Sequence, residues 1–478
     1  MGSLTQALSI ALSGLQTSTS LISLTSNNIS NAQTAGYTKK TASVATVDYG
    51  ADFGGSTIAS YSRATDQALT SDYNTSTTAA SYSSTQNDYM KQVQAVLNST
   101  ASNPALSTDI ANFSSAWSQY ASAPESNIQQ QNVISTAQTL VNDIHNVISG
   151  ASSLKAQVQS DIANNVTSLN ADLQQIAAIN ASVQASTSAG KQTVDLQDKQ
   201  DQLVNKISAY MSVTVQQRSG GQLALYSPSG QLLVDGPSST QFGYDASTNA
   251  ITNGVGTDVT AAMGGGSLQA ATDFISTSSS ALSSTTPGVG ALGKLNAQLS
   301  VLTTALTSTS NANSFASKYA SAVASSIGLG GTQANASVAS PFFTVSGTDP
   351  STIAVNSSLT NGTSALPQTG AESIAASFNT ALSYSDSTTG FSAPNVTYEG
   401  LTSAILSNFQ QMANTVSAQS TSATSQQTYY QQSLSNATGV NIDTELANLI
   451  SYQNSYAASA HIISSVNQML STLMSMVQ

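Results

Sequence analysis

Cysteine is absent from all 478 residues, so disulfides, thiolate metal sites and thiol nucleophiles are excluded together. Charge is scarce as well. Only 7% of residues are Asp, Glu, Lys or Arg, against about 25% in an average soluble chain, so hydroxyls and amides must supply most of the surface. Basic residues are the scarcest, 11 against 23 acids for a net charge of −12. That balance disfavours capture of phosphate backbones or anionic lipid, and neither nucleic acid nor membrane is expected as a partner. No uninterrupted apolar run approaches the ~18 residues of a membrane span. No Lys or Arg precedes Lys39, and Ser, Thr or Gln interrupts the early apolar residues every two or three positions. Neither the basic start nor the apolar stretch of a cleavable secretion signal is present, which implies a cytosolic protein or exit by a route that needs no such signal.

The chemistry-bearing motifs are equally thin. Gly288-Val-Gly290-Ala-Leu-Gly293-Lys294 has phosphate-loop spacing, but it follows a Ser/Thr-Pro stretch instead of a strand, and Leu295 stands where a magnesium-binding hydroxyl would be needed. A turn entering a helix is the expectation. The two histidines, His145 and His461, lie far apart without an i±4 partner, and no G-x-S-x-G elbow occurs. No catalytic, cofactor or metal site is expected, and the chain is read as no enzyme. Asp195, Asp198 and Asp201 share one helical face and are expected to be solvated, with Lys191 and Lys199 nearby.

What is present is periodicity. Apolar Leu4, Leu8, Ala11, Leu15, Ile22 and Ile29, with Ser18 and Thr25, alternate in steps of four and three, which is a heptad seam. The helix would be about 39 Å long. It stops in Asn27-Asn28-Ile29-Ser30-Asn31 and turns through Gly36 and Tyr37 into extended chain to about Tyr49. At the other end Ile442, Leu446, Leu449, Gln453, Tyr456, Ala460, Ile463, Asn467, Leu470, Met474 and Val477 repeat the alternation over about five heptads, with two polar seam positions. Neither helix can bury its seam alone. They are expected to pack on each other, either as a coiled-coil stalk within one chain or with both seams completed only by neighbouring subunits.

Between the ends the texture changes three times. Helix is expected from about Asp88 to Tyr210, with a clear stripe at Leu154, Val158, Ile162, Val166, Leu169, Leu173 and Ile176 and breaks at Asn103-Pro104 and Ala123-Pro124. From Met211 to about Gly266 the period becomes two, and Gly- and Pro-containing turns imply a β-meander. Helices follow at about 268–275 and 292–327, short strands at 341–355, helix again at about 372–432, and surface loops near 276–291 and 328–340. The class is therefore mainly α with a smaller β portion (α+β).

Ser26 to Lys39, around Asn27, Asn28, Asn31, Gly36 and Tyr37, resembles the N-terminal motif of bacterial flagellar axial proteins of the rod, hook and hook-associated group. Gly439-Val-Asn-Ile-Asp-Thr-Glu-Leu446 and the following helix resemble that group's C-terminal segment, and the Gly-Val-Asn-Ile-Asp opening is most similar to its hook-associated branch. Leu173–Asn180, Asp195–Val204 and Gln222–Gly236 are similar to that branch's interior, although its pattern is richer in Arg, and little room exists here for the larger insertion its members often carry. The resemblance implies a structural protein at the junction of hook and filament. Its partners would be further copies of itself in an axial ring, the flagellar hook protein, a second junction protein and the filament, with a cytosolic export chaperone before type III export. It also implies an assembly interface formed by Leu4, Leu8, Leu15, Ile22, Asn27, Asn28, Asn31, Gly36 and Tyr37 with Ile442, Leu446, Leu449, Gln453, Tyr456, Ile463, Asn467 and Leu470. The corresponding domains are 1–60 with 433–478 (terminal coiled coil of an inner tube), 61–210 with 372–432 (helical bundle), and 211–371 (β-hairpin-rich outer domain). Two alternatives are another axial component, hook or distal rod, and a secreted display scaffold or adhesin.

Overall fold

A computed structural model of the protein describes residues 2–47, 54–97, 106–326 and 340–477. The chain opens with helix α1 (Gly2–Asn31) and a hairpin of β1 (Lys40–Val47) and β2 (Gly55–Arg63), paired from Lys40↔Arg63 to Val47↔Gly55. Helices α2 (Gln67–Leu97), α3 (Leu106–Ser122), α4 (Asn127–Ser188) and α5 (Val194–Tyr210) follow. The 62 residues of α4 make a rod of about 93 Å. Ser126 caps it by accepting from Gln129 N–H at 3.4 Å, and Leu154 to Ile176 of the expected stripe are all buried.

The β portion starts with a four-stranded antiparallel sheet in the order β3 (Thr214–Gln217), β4 (Leu223–Tyr226), β5 (Leu232–Asp235), β6 (Ser238–Ser239). A hairpin of β7 (Phe242–Asp245) and β8 (Ala250–Asn253) follows it. Then come α6 (Gly266–Ile275), α7 (Ser279–Leu282), α8 (Ala291–Thr307) and α9 (Phe315–Ser326), the small pair β9 (Phe343–Thr344) with β10 (Ala354–Val355), α10 (Ser357–Thr360), α11 (Ala371–Phe378), and a hairpin of β11 (Leu382–Asp386) and β12 (Phe391–Val396). Two long helices, α12 (Tyr398–Thr438) and α13 (Ile442–Val477), end the chain. The class is mainly α with small antiparallel sheets, as the periodicities imply.

Three local readings change. The helical region starts at Gln67 and not at Asp88, because the first half of α2 buries Asn74, Ser76, Thr77 and Thr78 and leaves no apolar stripe: Asn205 of α5 donates to Asn74 and Thr77, Thr78 donates to the Ser208 carbonyl, and Gln427 of α12 donates to Thr77. The extended chain expected after Tyr37 is strand β1, paired with β2, whereas a hairpin replaces the expected helix at Leu382–Val396. The helix expected over 292–327 breaks at 308–314, where Ser308, Asn311 and Ser314 accept from nearby backbone N–H groups in place of helical carbonyls. The loop expected at 328–340 and the break at Asn103-Pro104 fall almost wholly outside the described residues. Gly290, left-handed, opens α8 as the turn expected there, and Lys294 Nζ donates to the Ser284 carbonyl at 2.7 Å.

One continuous apolar core runs from Tyr89 of α2 to Val416 of α12. At its centre Phe113 and Trp117 of α3 pack edge-on against Phe315 and at a tilt against Phe342, and Phe113 also meets Phe378 edge-on. Helices α1 and α13 contribute nothing to it; they pair with each other, and α1 also lies on the β1–β2 hairpin. By composition α1 is apolar enough to cross a membrane, with a mean hydropathy of 1.2, which a count of uninterrupted runs does not reveal. In the fold, however, its most buried side chains include Thr17, Ser18, Thr25 and Asn28, and Thr17 Oγ1 donates to the Ser56 carbonyl of the hairpin.

Candidate assembly interface

The paired terminal helices leave most of α13 uncovered. On α1 the expected seam faces its partner: Ala11, Ser18 and Thr25 are buried, and Leu4, Leu8, Leu15 and Ile22 are half-buried. The helices come close at Gly14, where a Cβ would lie 3.2 Å from Ser459 Oγ. On α13 the smaller part of the expected seam turns inward, with Leu449, Ala460, Ile463 and Leu470 half-buried. The larger part does not. Ile442 and Leu446 are 40% and 45% exposed, Gln453 and Asn467 face solvent, and Tyr456 is 40% exposed. Glu445, Tyr452, Ser459 and Val466, each one residue earlier in the seam, take the inward positions. The reason is chemical: Glu445 is anchored at the base of the pair, and its anchoring fixes the rotation of the helix.

The uncovered apolar side chains of α13 fall into two patches. At about 100° per residue, Ile442, Leu446 and Ile450 lie to one side of the inward stripe, and Ile462, Met469 and Leu473 lie to the other. An open groove lined by Leu4, Ser465, Gln468, Met469, Thr472 and Leu473 borders the second patch.

At the base of the pair the Asn-rich motif does specific work. Asn28 is 1% exposed and uses all its hydrogen-bonding capacity. Its Nδ2 donates to the Lys40 carbonyl (2.8 Å) and to Glu445 Oε2 (3.1 Å), while its Oδ1 accepts from Tyr37 OH (2.8 Å) and Lys40 N–H (3.0 Å). An Asp could not donate and an Ala would orphan buried partners at about 1–3 kcal/mol each. Burial, and after it the carboxylates of Asp195, Asp198 and Glu445, push the Tyr37 hydroxyl up to about 12, so it remains a donor. Gly36 sits at φ +75° with Gln202 close against it, and Gln202 Nε2 donates to the Ala35 carbonyl. Asn27 and Asn31 are not part of this network: Asn31 Nδ2 donates to the Asn27 carbonyl, and its Oδ1 accepts from Thr34 Oγ1.

The acidic face of α5 is corrected in part. Asp195 is exposed as expected, but Asp198 is 5% exposed instead of solvated; Lys40 and Arg63 pair with it, and Arg63 also pairs with Asp201. Thr38 Oγ1 donates to Asp198 Oδ1 at 2.7 Å. Burial pushes the Asp201 carboxyl up, against the opposing pull of Arg63. On the other side Lys39 Nζ lies 3.0 Å from Glu445 Oε1, and Lys39 N–H donates to the Thr438 carbonyl at the end of α12. The chain passes from α12 to α13 at Gly439, where a Cβ would lie 2.4 Å from the Ser435 carbonyl oxygen. Asn441 then caps α13 by accepting from Thr444 N–H. Lys40, Arg63, Asp198 and Glu445 were not singled out from the sequence as interface residues; the signal available was scarcity, since adjacent lysines in so uncharged a chain need acids to meet.

Comparison with known proteins matches the middle of the chain and its C-terminal end. The model of the flagellar hook-associated protein FlgK helical domain matches residues 90–317, and that of the flagellar basal body rod FlgEFG protein C-terminal region matches residues 431–476. Flagellar hook-associated protein 1 of Salmonella typhimurium strain LT2 is 28% identical over 238 residues, 48% of this chain and 43% of that protein. The protein of the same name from Escherichia coli K12 is 26% identical over equal shares, and that of Bacillus subtilis strain 168 is 22% identical over 49% of this chain and 48% of its own length. The chain thus matches less than half the length of these relatives. A solved structure, the flagellar hook junction protein FlgK from Burkholderia pseudomallei, aligns over 53% of this chain and 44% of its own at 24% identity with a TM-score of 0.43.

Proposed function

We propose that the chain is a flagellar axial protein of the hook-associated group, whose helical-domain model matches residues 90–317, and that it is the structural adapter between hook and filament. Its terminal pair, residues 1–60 with 433–478, polymerises into the inner wall of an axial ring; residues 61–210 with 372–432 form the surrounding bundle, and 211–371 the outer domain. Leu4, Leu8, Leu15 and Ile22 hold α13 within the subunit, while Ile442, Leu446 and Tyr456 are left for neighbours. The partners are further copies of this chain, the hook protein on one side, and a second junction protein and the filament on the other. A cytosolic chaperone covers the open helices before export through the type III route, without a cleaved signal. The work is mechanical and involves no catalysis.

The observation that carries this reading is the conjunction of a hook-associated helical domain with a terminal pair whose apolar flanks are open on both sides. An isolated protein would bury such flanks. Cells lacking the chain should carry bare hooks and shed flagellin into the medium, as seen by electron microscopy and an assay of the supernatant. Missing hooks would move the protein down to the hook or rod, and normal attached filaments would end the axial reading.

A further inference from the structure

The buried charges at the base of the terminal pair raise a question that its assembly role alone does not answer. Lys39, Lys40 and Arg63 are three of the chain's 11 basic residues, and all three converge on one place together with Asp198, Asp201 and Glu445. Buried ion pairs are poor sources of stability compared with apolar packing, but they are strict about geometry, because a displaced partner leaves an uncompensated charge. This one joins elements that the apolar core does not join. The core stops short of α1 and α13, so the orientation of the terminal pair on the bundle must be set elsewhere.

We infer that this cluster is the joint that positions the assembly helices on the bundle, with Lys39, Lys40, Asp198 and Glu445 as its positioning residues. It has two halves meeting at adjacent lysines. In one, Asp198 of α5 accepts Lys40, Arg63 and Thr38, holding both strands of the hairpin to the bundle. In the other, Glu445 of α13 forms an ion pair with Lys39 and accepts from Asn28, holding the C-terminal helix to the end of α1. Asn28 also binds both backbone groups of Lys40, so the halves are linked through one side chain. Tilting the pair against the bundle would separate Lys39 from Glu445 or Lys40 from Asp198. The joint therefore makes pair and bundle move together, and it requires both chain ends to be docked at once.

The inference rests on the assembly reading for its consequence, but its test does not. Because cysteine is absent, spin labels can be placed at Ser451→Cys on α13 and Ser182→Cys on α4, both exposed, and their separation measured in the full-length monomer by pulsed electron resonance. The parent should give one narrow distance distribution. Glu445→Gln and Asp198→Asn should each broaden it, while the emission of Trp117, buried in the core, stays unchanged and certifies a folded bundle. Exchanging the charges, Lys39→Glu with Glu445→Lys, should narrow it again relative to Lys39→Glu alone, which packing by itself would not do. A distribution that stays narrow in both single variants overturns the joint. So does broadening that the charge exchange leaves unrepaired, or broadening that comes only with a shift of Trp117 emission. Filament attachment in cells reads the assembly role separately: filaments attached in the absence of the chain would end that role and leave the joint standing.

Discussion

The aromatic core and the terminal pair are both helical, and they are built on opposite terms. In the core, Phe113, Trp117 and Phe315 are fully buried with ring centroids 5.5–6.4 Å apart, so each large side chain finds its cover within the chain. In the pair, Ala11 and Val466 are the buried apolar residues, accompanied by Thr17, Ser18, Thr25, Asn28 and Glu445, while Ile450 and Met474 are 60% and 73% exposed. Burying a large apolar side chain is worth about 1.5–3 kcal/mol. The core has gained that on folding, and the outer flanks of α13 have yet to gain it. A heptad stripe tells that a face will be covered; it does not tell what will cover it.

The sharpest way to break this contrast is to damage the core and watch the pair. Phe113 meets Trp117, Phe315, Phe342, Phe343 and Phe378, so Phe113→Ala should cost about 3–5 kcal/mol, read from urea unfolding by Trp117 emission. The second prediction approaches from the pair. In the isolated subunit, amides of residues 4–29 and 442–475 should exchange with solvent well before those of α3 and α4, since marginal helices with open flanks do not hold their hydrogen bonds for long. Mass-spectrometric hydrogen exchange showing equal protection in both regions would dissolve the distinction.

How much of this was legible depended on whether the signal was apolar. The stripe of α4 and the alternation of the meander are large side chains at fixed spacing, and they fold as they read. Helix α2 announced itself only from about Asp88, because its first half packs through Asn74, Ser76, Thr77 and Thr78, which look like surface in any sequence. The inward stripe of α13 departs from the apolar heptad for a related reason: its strongest inward determinant is Glu445, a charge, and apolar periodicity cannot report an ion pair with Lys39 more than 400 positions away. The Asn-rich motif marked the right place, but Asn28 and its neighbours Asn27 and Asn31 are indistinguishable until one of them is seen to be buried.

A smaller effect separates the two regions by pH. Asp109 of α3 and Asp143 of α4 are both buried; burial, and after it the hydrogen bond and charge of Asp143, push Asp109 up to about 7. Asn146 Nδ2 donates to the Asp143 carboxylate at 3.2 Å. The folded chain therefore holds a proton that the unfolded chain releases near its ordinary value of ~4. Stability should fall as pH rises through that window and level off above about 7. Asp201 and Asp273, also raised by burial, act with the same sign. Asp109→Asn should flatten most of the slope in urea midpoints between pH 5 and 8 (roughly the upper part of that window). A slope unchanged by the substitution would remove the pair from the account, and one that appears first in the exchange rates of α1 would place the titration in the wrong region.

The smallest expected change in the monomer is the most informative. Ile450 lies on the first outward patch of α13, 60% exposed, so Ile450→Ser should alter the stability of the isolated subunit by no more than about 0.5 kcal/mol. Val466, 3% exposed on the inward side, is its counterpart, and Val466→Ser should lower the protection of α1 in hydrogen exchange. If α13 serves neighbours on its flanks and its own chain on its inward stripe, the two substitutions must part in function. Ile450→Ser should leave a well-folded subunit that assembles poorly and releases flagellin from otherwise complete hooks, while Val466→Ser should weaken the subunit before it reaches the assembly. Normal filaments with Ile450→Ser would mean that the outward patches are idle surface, and the contrast between a satisfied core and an unsatisfied pair would then describe packing alone.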